Sequence, residues 1–316
     1  MNILILSCGT RCKLVEYFKK SNEYKKVVCT DISEQAPALL MADASYLVPK
    51  MTDYNYLDVI LEICEKEKIK VLLPLHEDEL LLIAKNKQIF IERNILPIIS
   101  DYSNVALCKD KYSLSRKLNE KNILAVDSYT VEEYLKKEND VNSFYVKPRY
   151  GAGSVNTFKV HSKQMLKAIA EEYSDEFIVQ PGIEGKEYGV DIYVDMISRN
   201  VVSVFCKEKL RMRAGETEKS LSIKDEKIEA LVIKAVKEMN LIGPIDVDVL
   251  EENGRYYILE INPRFGGGYP HAYECGIDFM KFIAKNANGE VNTFSNDYAE
   301  GVIAMKYSEI VIKNLG

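Results

Sequence analysis

Two segments, Ile245-Asp-Val-Asp248 and Glu260-Ile-Asn262-Pro-Arg264, place polar side chains at every second position with apolar residues between them. Side chains alternate across a β-strand, so Asp246 and Asp248 share one face, and Glu260, Asn262 and Arg264 share one face of the next strand. Val247, Val249, Tyr257, Leu259 and Ile261 then read as the core side of a hairpin turning at Glu252-Asn253-Gly254. A two-residue Asn-Gly turn would send Asp248 and Glu260 to opposite faces. A three-residue loop with Gly254 in the left-handed conformation pairs Glu251 with Arg255, sets Asp246 across from Glu260, and is the predicted geometry. Three acids, an amide and a guanidinium on one face, followed by Phe265-Gly-Gly-Gly268, suit magnesium and phosphate, because magnesium takes one or two protein carboxylates together with nucleotide oxygens.

At 316 residues and 47% hydrophobic content the chain has material for two or three domains with real cores. A net charge of −6 without a lysine or arginine run argues against nucleic-acid and membrane-surface partners and for a small polar substrate. The amino-terminal Met-Asn-Ile-Leu-Ile-Leu-Ser is too short for a secretory apolar region and no later stretch spans a bilayer, so a cytoplasmic location is expected. Seven scattered cysteines fit reduced thiols rather than a disulfide framework.

The first hundred residues alternate strand and helix: strands at 2–6, 26–30 and 71–74, with helices between them, imply right-handed βαβ units and a parallel sheet. Asp31 ends the second strand, but Ser7-Cys8-Gly9-Thr10-Arg11 lacks the glycine fingerprint of a dinucleotide site, so this reads as a helper domain. His76-Glu77-Asp78-Glu79 follows a strand at the carboxyl edge of that sheet, where it either lines a substrate pocket or caps the helix that follows. A second domain begins near Ser103 with a helix over 106–119 and another opened by the capping box Thr130-Val-Glu-Glu133.

A strand ending at Lys147 and opening into a loop with Gly151, Gly153 and Ser154 offers a point charge and free amides to phosphates. Gln180 ends a later strand before Pro181-Gly182-Ile183, an extended link whose backbone could read an adenine edge, and Glu187 could accept from ribose hydroxyls. The basic cluster Lys209, Arg211, Arg213, followed by Gly215-Glu216, reads either as a solvated strand edge or, the favoured reading, as a loop folding back on this site to meet a phosphate or a substrate carboxylate. His271, just past the triple glycine, reads either as a group that orients a nucleophile or binds the second substrate or, the favoured reading, as structural.

Lys111, Lys147 with its glycine loop, Gln180 to Glu187, Asp248 and Glu260-Ile-Asn262-Pro-Arg264 stand in the order of the ATP-grasp superfamily, and the chain resembles its carbamoyl-phosphate-synthase-like members. The resemblance implies an α/β chain in which a parallel-sheet pre-ATP-grasp domain (1–104) precedes the two-lobed α+β ATP-grasp fold, with a small lobe (105–183) and a carboxy-terminal lobe carrying the metal site (184–316). It implies ATP and Mg2+, with Mn2+ able to substitute, and a carboxylate–amine or carboxylate–thiol ligase working through an acyl phosphate on small metabolites such as amino acids. In that reading Lys111 and Lys147 contact phosphates and Gly151, Gly153 and Ser154 close over them. Gln180, Pro181, Gly182 and Ile183 clamp adenine while Glu187 holds the ribose. Asp248, Glu260 and Asn262 bind metal, Arg264 holds the transferred group, and Arg211 or Arg213 stabilises developing charge. A homodimer is usual among such proteins. A phosphotransferase and a non-catalytic ATP-binding module are the alternatives.

Overall fold

The computed structural model describes residues 1–137, 143–151, 153, 155–173, 176–213 and 215–313. Strands β1 (Asn2–Leu6), β2 (Lys26–Asp31), β3 (Ala44–Leu47), β4 (Val71–Pro74) and β5 (Leu96–Pro97) form a parallel sheet in the order β3-β2-β1-β4-β5. A run such as Ile3-Leu-Ile-Leu6 suits its central strand because a parallel sheet is covered on both faces. Ile3 and Ile5 join one core with the helix Cys12–Lys20, while Leu4 and Leu6 join another with the helix Tyr56–Lys66.

Strands β6 (Tyr129–Thr130), β7 (Phe144–Pro148), β8 (Phe158–Val160) and β9 (Phe177–Pro181) make an antiparallel sheet, β6-β9-β7-β8, with a small core of its own around Tyr134, Phe144, Leu166 and Val179. Thr130 and Glu133 form the expected capping box. The helix expected over 106–119 is two helices, Tyr102–Lys109 and Lys111–Glu120. Asp110 breaks it by adopting an extended backbone (φ −87°, ψ 92°), from which its carboxylate accepts the Ser113 N–H and caps the second helix.

The third sheet is antiparallel: β10 (Glu187–Val194), β11 (Val201–Arg213), β12 (Glu216–Ile223), β13 (Gly243–Glu252), β14 (Arg255–Asn262) and β15 (Ile303–Met305), in the order β14-β13-β10-β11-β12-β15. The helix Glu226–Glu238 buries Ile228, Val232, Ala235 and Val236 on one face of it, against Val190, Ile192, Val247 and Ile258.

The β13–β14 hairpin corrects the predicted loop. Glu252 pairs with Arg255 across a two-residue turn, with Asn253 (φ 52°) and Gly254 (φ 76°) both left-handed. Polar parity is restored within the strand: Val249 pairs with Ile258 but Asp248 with Glu260, so Leu259 is the extra residue of a β-bulge. The bulge also reverses the face of the turn-proximal half of β14. Ile258 and Ile261 are buried, whereas Tyr257 and Leu259 are only half-buried and lie outside the core expected of them.

The first and third sheets share one core. Tyr17 stacks on Tyr273 (centroids 3.8 Å apart) and bonds Glu274 (2.8 Å), the Tyr24 hydroxyl donates to the Met280 carbonyl (2.9 Å), and Phe18 meets Phe265. Burial of each such aromatic side chain contributes roughly 1.5–3 kcal/mol, so this contact fixes the loop after β1 against the turn after β14.

Candidate active site

The face of the third sheet opposite the helix Glu226–Glu238 is polar. Across β10 and β13 Gly189 faces Asp248 and Asp191 faces Asp246; across β13 and β14 Asp248 faces Glu260 and Asp246 faces Asn262. The Asn262 amide donates to Glu260 (3.2 Å) and Asp246 (3.4 Å). From β11, Lys209 reaches both Asp248 (2.5 Å) and Glu187 (2.8 Å) with its side chain buried, while Lys207 makes a fully buried ion pair with Asp191. Gly189 makes room for both lysines, since a Cβ there would stand 3.1 Å from the Lys207 Cε and 3.2 Å from that of Lys209.

Charges on this face set one another's ionisation. Burial raises the Asp248 carboxyl against the pull of Lys209, with Asp246 and Glu260 adding to the rise. Burial also opposes ionisation of Glu260, but Lys147 and then Lys111 hold it below its ordinary value. Burial lowers Lys147 to about 8, partly offset by Glu260. Lys209 goes up despite burial because Asp248 and Glu187 surround it, so the acids already hold one cation. Among the described residues no group of three His, Cys, Asp or Glu side chains stands ready as a complete cage. Two carboxylates and an amide nevertheless fit magnesium, which completes its shell with phosphate oxygens and water.

The remaining predicted residues fall into three sets. Lys147, on β7, is half-buried beside Glu260, and the Lys111 ammonium at the start of its helix donates to the Gly151 carbonyl. An Arg149 fork holds this region together, bonding both Asp110 oxygens (2.7 and 2.5 Å) and Glu176 (2.6 Å). Gly153 abuts the β11–β12 turn, where a Cβ on Gly215 would stand 2.5 Å from the Gly153 carbonyl; Ser154 lies outside the described residues.

In the second set, the Gln180 carboxamide is buried and donates to Ser128 (2.8 Å). Pro181 pairs across to Phe144, the Gly182 N–H donates to the Ser143 carbonyl (3.1 Å), and Ile183 is half-buried. In the third set, Arg264 faces Glu77 (3.5 Å) and Asp246 (3.8 Å), while Arg211 and Arg213 do not reach the acidic face. Both are exposed at the end of β11 and share Glu218, at 2.8 and 3.4 Å.

His76 caps the helix Glu77–Lys85, while Glu77 meets Arg264 and lines a cavity with it. Asp31 is spent on its own loop, accepting the Gly9 and Ser33 N–H groups at 2.9 and 3.0 Å. His271 is buried, bonded to Ser220 (2.8 Å), and burial lowers it to about 4. Sequence reading missed Lys207, Asp191 and Arg11. For Lys207 and Asp191 the trace was the alternation Glu187-x-Gly189-x-Asp191 and Lys207-x-Lys209, which solvated charges would leave as well; Arg11, in a loop, left none.

Residues 108–268 match the model of the ATP-grasp domain, and residues 3–98 that of the PylC-like N-terminal domain. The chain belongs to the ATP-grasp family. D-alanine–D-alanine ligase B of Clostridium perfringens is 29% identical over 204 residues, a match covering 56% of this chain and 66% of that ligase, a little under two thirds of its length. Among solved structures, the biotin carboxylase domain of Hydrogenobacter thermophilus 2-oxoglutarate carboxylase, in complex with MgADP, ADP and bicarbonate, superposes with a TM-score of 0.76 at 18% identity, covering 95% of this chain and 73% of that one. The L-amino acid ligase of Bacillus licheniformis does so at 0.69 and 17%, covering 92% and 75%. These two likenesses show the ATP-grasp fold. Among the described residues no helix is long and apolar enough to cross a membrane, and all seven cysteines are free.

Proposed function

We propose that this ATP-grasp protein is an ATP-dependent ligase that activates a small carboxylate and joins it to an amine, both substrates being amino acids or close relatives of them. The observation that carries the reading is the pairing of Asp248 with Glu260 beside Asn262, bordered by Lys147 and Lys209, on one buried sheet face. The names of the relatives, a D-alanine–D-alanine ligase and an L-amino acid ligase, support the substrate class.

Lys147 and Lys111 neutralise phosphate oxygens, the glycine loop at Gly151 and Gly153 covers them, and Glu187 accepts from the ribose. The backbone of residues 181–183 lies along the base. Asp248, Glu260 and Asn262 would hold magnesium, which would neutralise phosphate charge there. A substrate carboxylate oxygen attacks the γ-phosphorus and ADP leaves, giving an acyl phosphate. The amine then attacks the acyl carbon, a proton is lost, and phosphate departs with the former carboxylate oxygen. Arg264 stabilises the negative charge that develops in both steps. The three sheets correspond in this reading to a pre-ATP-grasp domain and two lobes that close on the nucleotide.

The test is release of ADP and phosphate from ATP across pairs of amino acids, with magnesium. Release is expected to require both members of a pair and to vanish in Glu260→Gln with circular dichroism unchanged. Undiminished release by Glu260→Gln would remove the assignment.

A further inference from the structure

Among the described basic side chains that line the cavity beside this site, Arg11 is the one without an ion-pair partner. It stands in the loop after β1, and among the described residues its guanidinium has no hydrogen bond and no ion pair. It nevertheless lines, with Glu77, Asp78, Lys109, Tyr150 and Arg264, a cavity of about 460 Å3 between the first sheet and the turn after β14. The other charges lining that cavity are matched: Lys109 pairs with Asp78, and Arg264 with Glu77. Burial lowers Arg11, and the nearby Arg264 charge lowers it further, against partial compensation from Glu216 and Asp246. Glu216 is itself engaged with Lys306 (2.8 Å).

A Cβ on Gly267 would stand 2.7 Å from an Arg11 terminal nitrogen, so the guanidinium lies directly against the glycine turn. The aromatic core that joins Tyr17 and Phe18 to Tyr273 and Phe265 holds the two loops together behind it.

We infer that Arg11 is a specificity residue that binds a non-reacting carboxylate of a substrate. The inference rests on the ligase reading above and narrows it. Arg264 and the metal face serve the carboxylate that becomes phosphorylated. The unmatched positive charge at Arg11 selects a second one, belonging either to a dicarboxylate acid or to the amino acid that supplies the amine. A planar guanidinium suits a carboxylate because two parallel N–H donors match its two oxygens.

Calorimetric titrations with MgADP present distinguish the two sources: glutarate against its monoamide for the acid, and L-alanine and L-glutamate against their α-amides for the nucleophile. In the wild-type protein the free carboxylate of one class is expected to bind about tenfold or more tightly than its amide, as a hydrogen-bonded charge would give. In Arg11→Gln the two forms should bind alike, and Arg11→Lys should fall between. MgADP binding in the same titrations reports that the fold persists. No carboxylate preference in the wild-type protein, or a preference that survives Arg11→Gln, overturns the inference. Failure of the ligase reading shows separately, as carboxylate binding without ADP release.

Discussion

At the scale of single residues the site is governed by how closely side chains are packed against glycine. A Cβ on Gly266 would stand 2.4 Å from an Asp246 oxygen, so the triple glycine lets the turn close over the acid that faces Asn262 and Arg264. Gly266→Ala is therefore expected to leave the fold in place and to lower kcat by about 100-fold, the size of effect that a misplacement near 1 Å produces. Steady-state ADP release checks it, and a variant within a few-fold of wild type would show that Asp246 has no positional role. The acids Asp248 and Glu260 were legible because charge at even spacing in an apolar strand has few structural explanations. Lys207 with Asp191 was not, since a buried ion pair leaves the same trace in a sequence as two solvated charges. Arg211 and Arg213 resembled Lys209 in spacing, yet only Lys209 lies far enough back from the exposed end of β11 to be covered.

At the scale of elements, two places show what periodicity does not encode. The Asn253-Gly254 signal for a two-residue turn and the parity needed by Asp248 and Glu260 conflict in a regular hairpin, and the chain satisfies both by a bulge at Leu259. A bulge inserts one residue without a side-chain signature, so the conflict was visible and its solution was not. Asp110 is the second case. Helical periodicity runs through it, but its short carboxylate competes for the backbone and gains an Arg149 partner that is remote in sequence. That fork and the Ser113 bond hold its carboxyl at about 2 in spite of burial. Asp110→Ala loses the helix cap and the fork together and should destabilise the protein by about 2–3 kcal/mol. It should also raise the KM for ATP, because the same pair ties Lys111 to the end of β7. Asp110→Asn keeps the cap and should show a smaller loss in thermal unfolding. Equal losses would mean that the cap contributes nothing beyond the charge on Asp110.

At the scale of the whole molecule, the alternation of strand and helix made the parallel amino-terminal sheet readable, and motif order made the ATP-grasp fold readable. The shared core between the first and third sheets was not, because Tyr17 and Tyr24 meet Glu274 and Met280 across most of the chain's length. That contact makes the amino-terminal sheet one wall of the cavity lined by Glu77 and Arg264 and brings Arg11 to it. The central claim, an acyl phosphate formed on the Asp248–Glu260 face, has a direct isotopic test. With an acid substrate labelled in both carboxylate oxygens with heavy oxygen, phosphate released during amide formation should carry one labelled atom, seen as an isotope shift by phosphorus NMR. Amide formed with unlabelled phosphate would contradict the account.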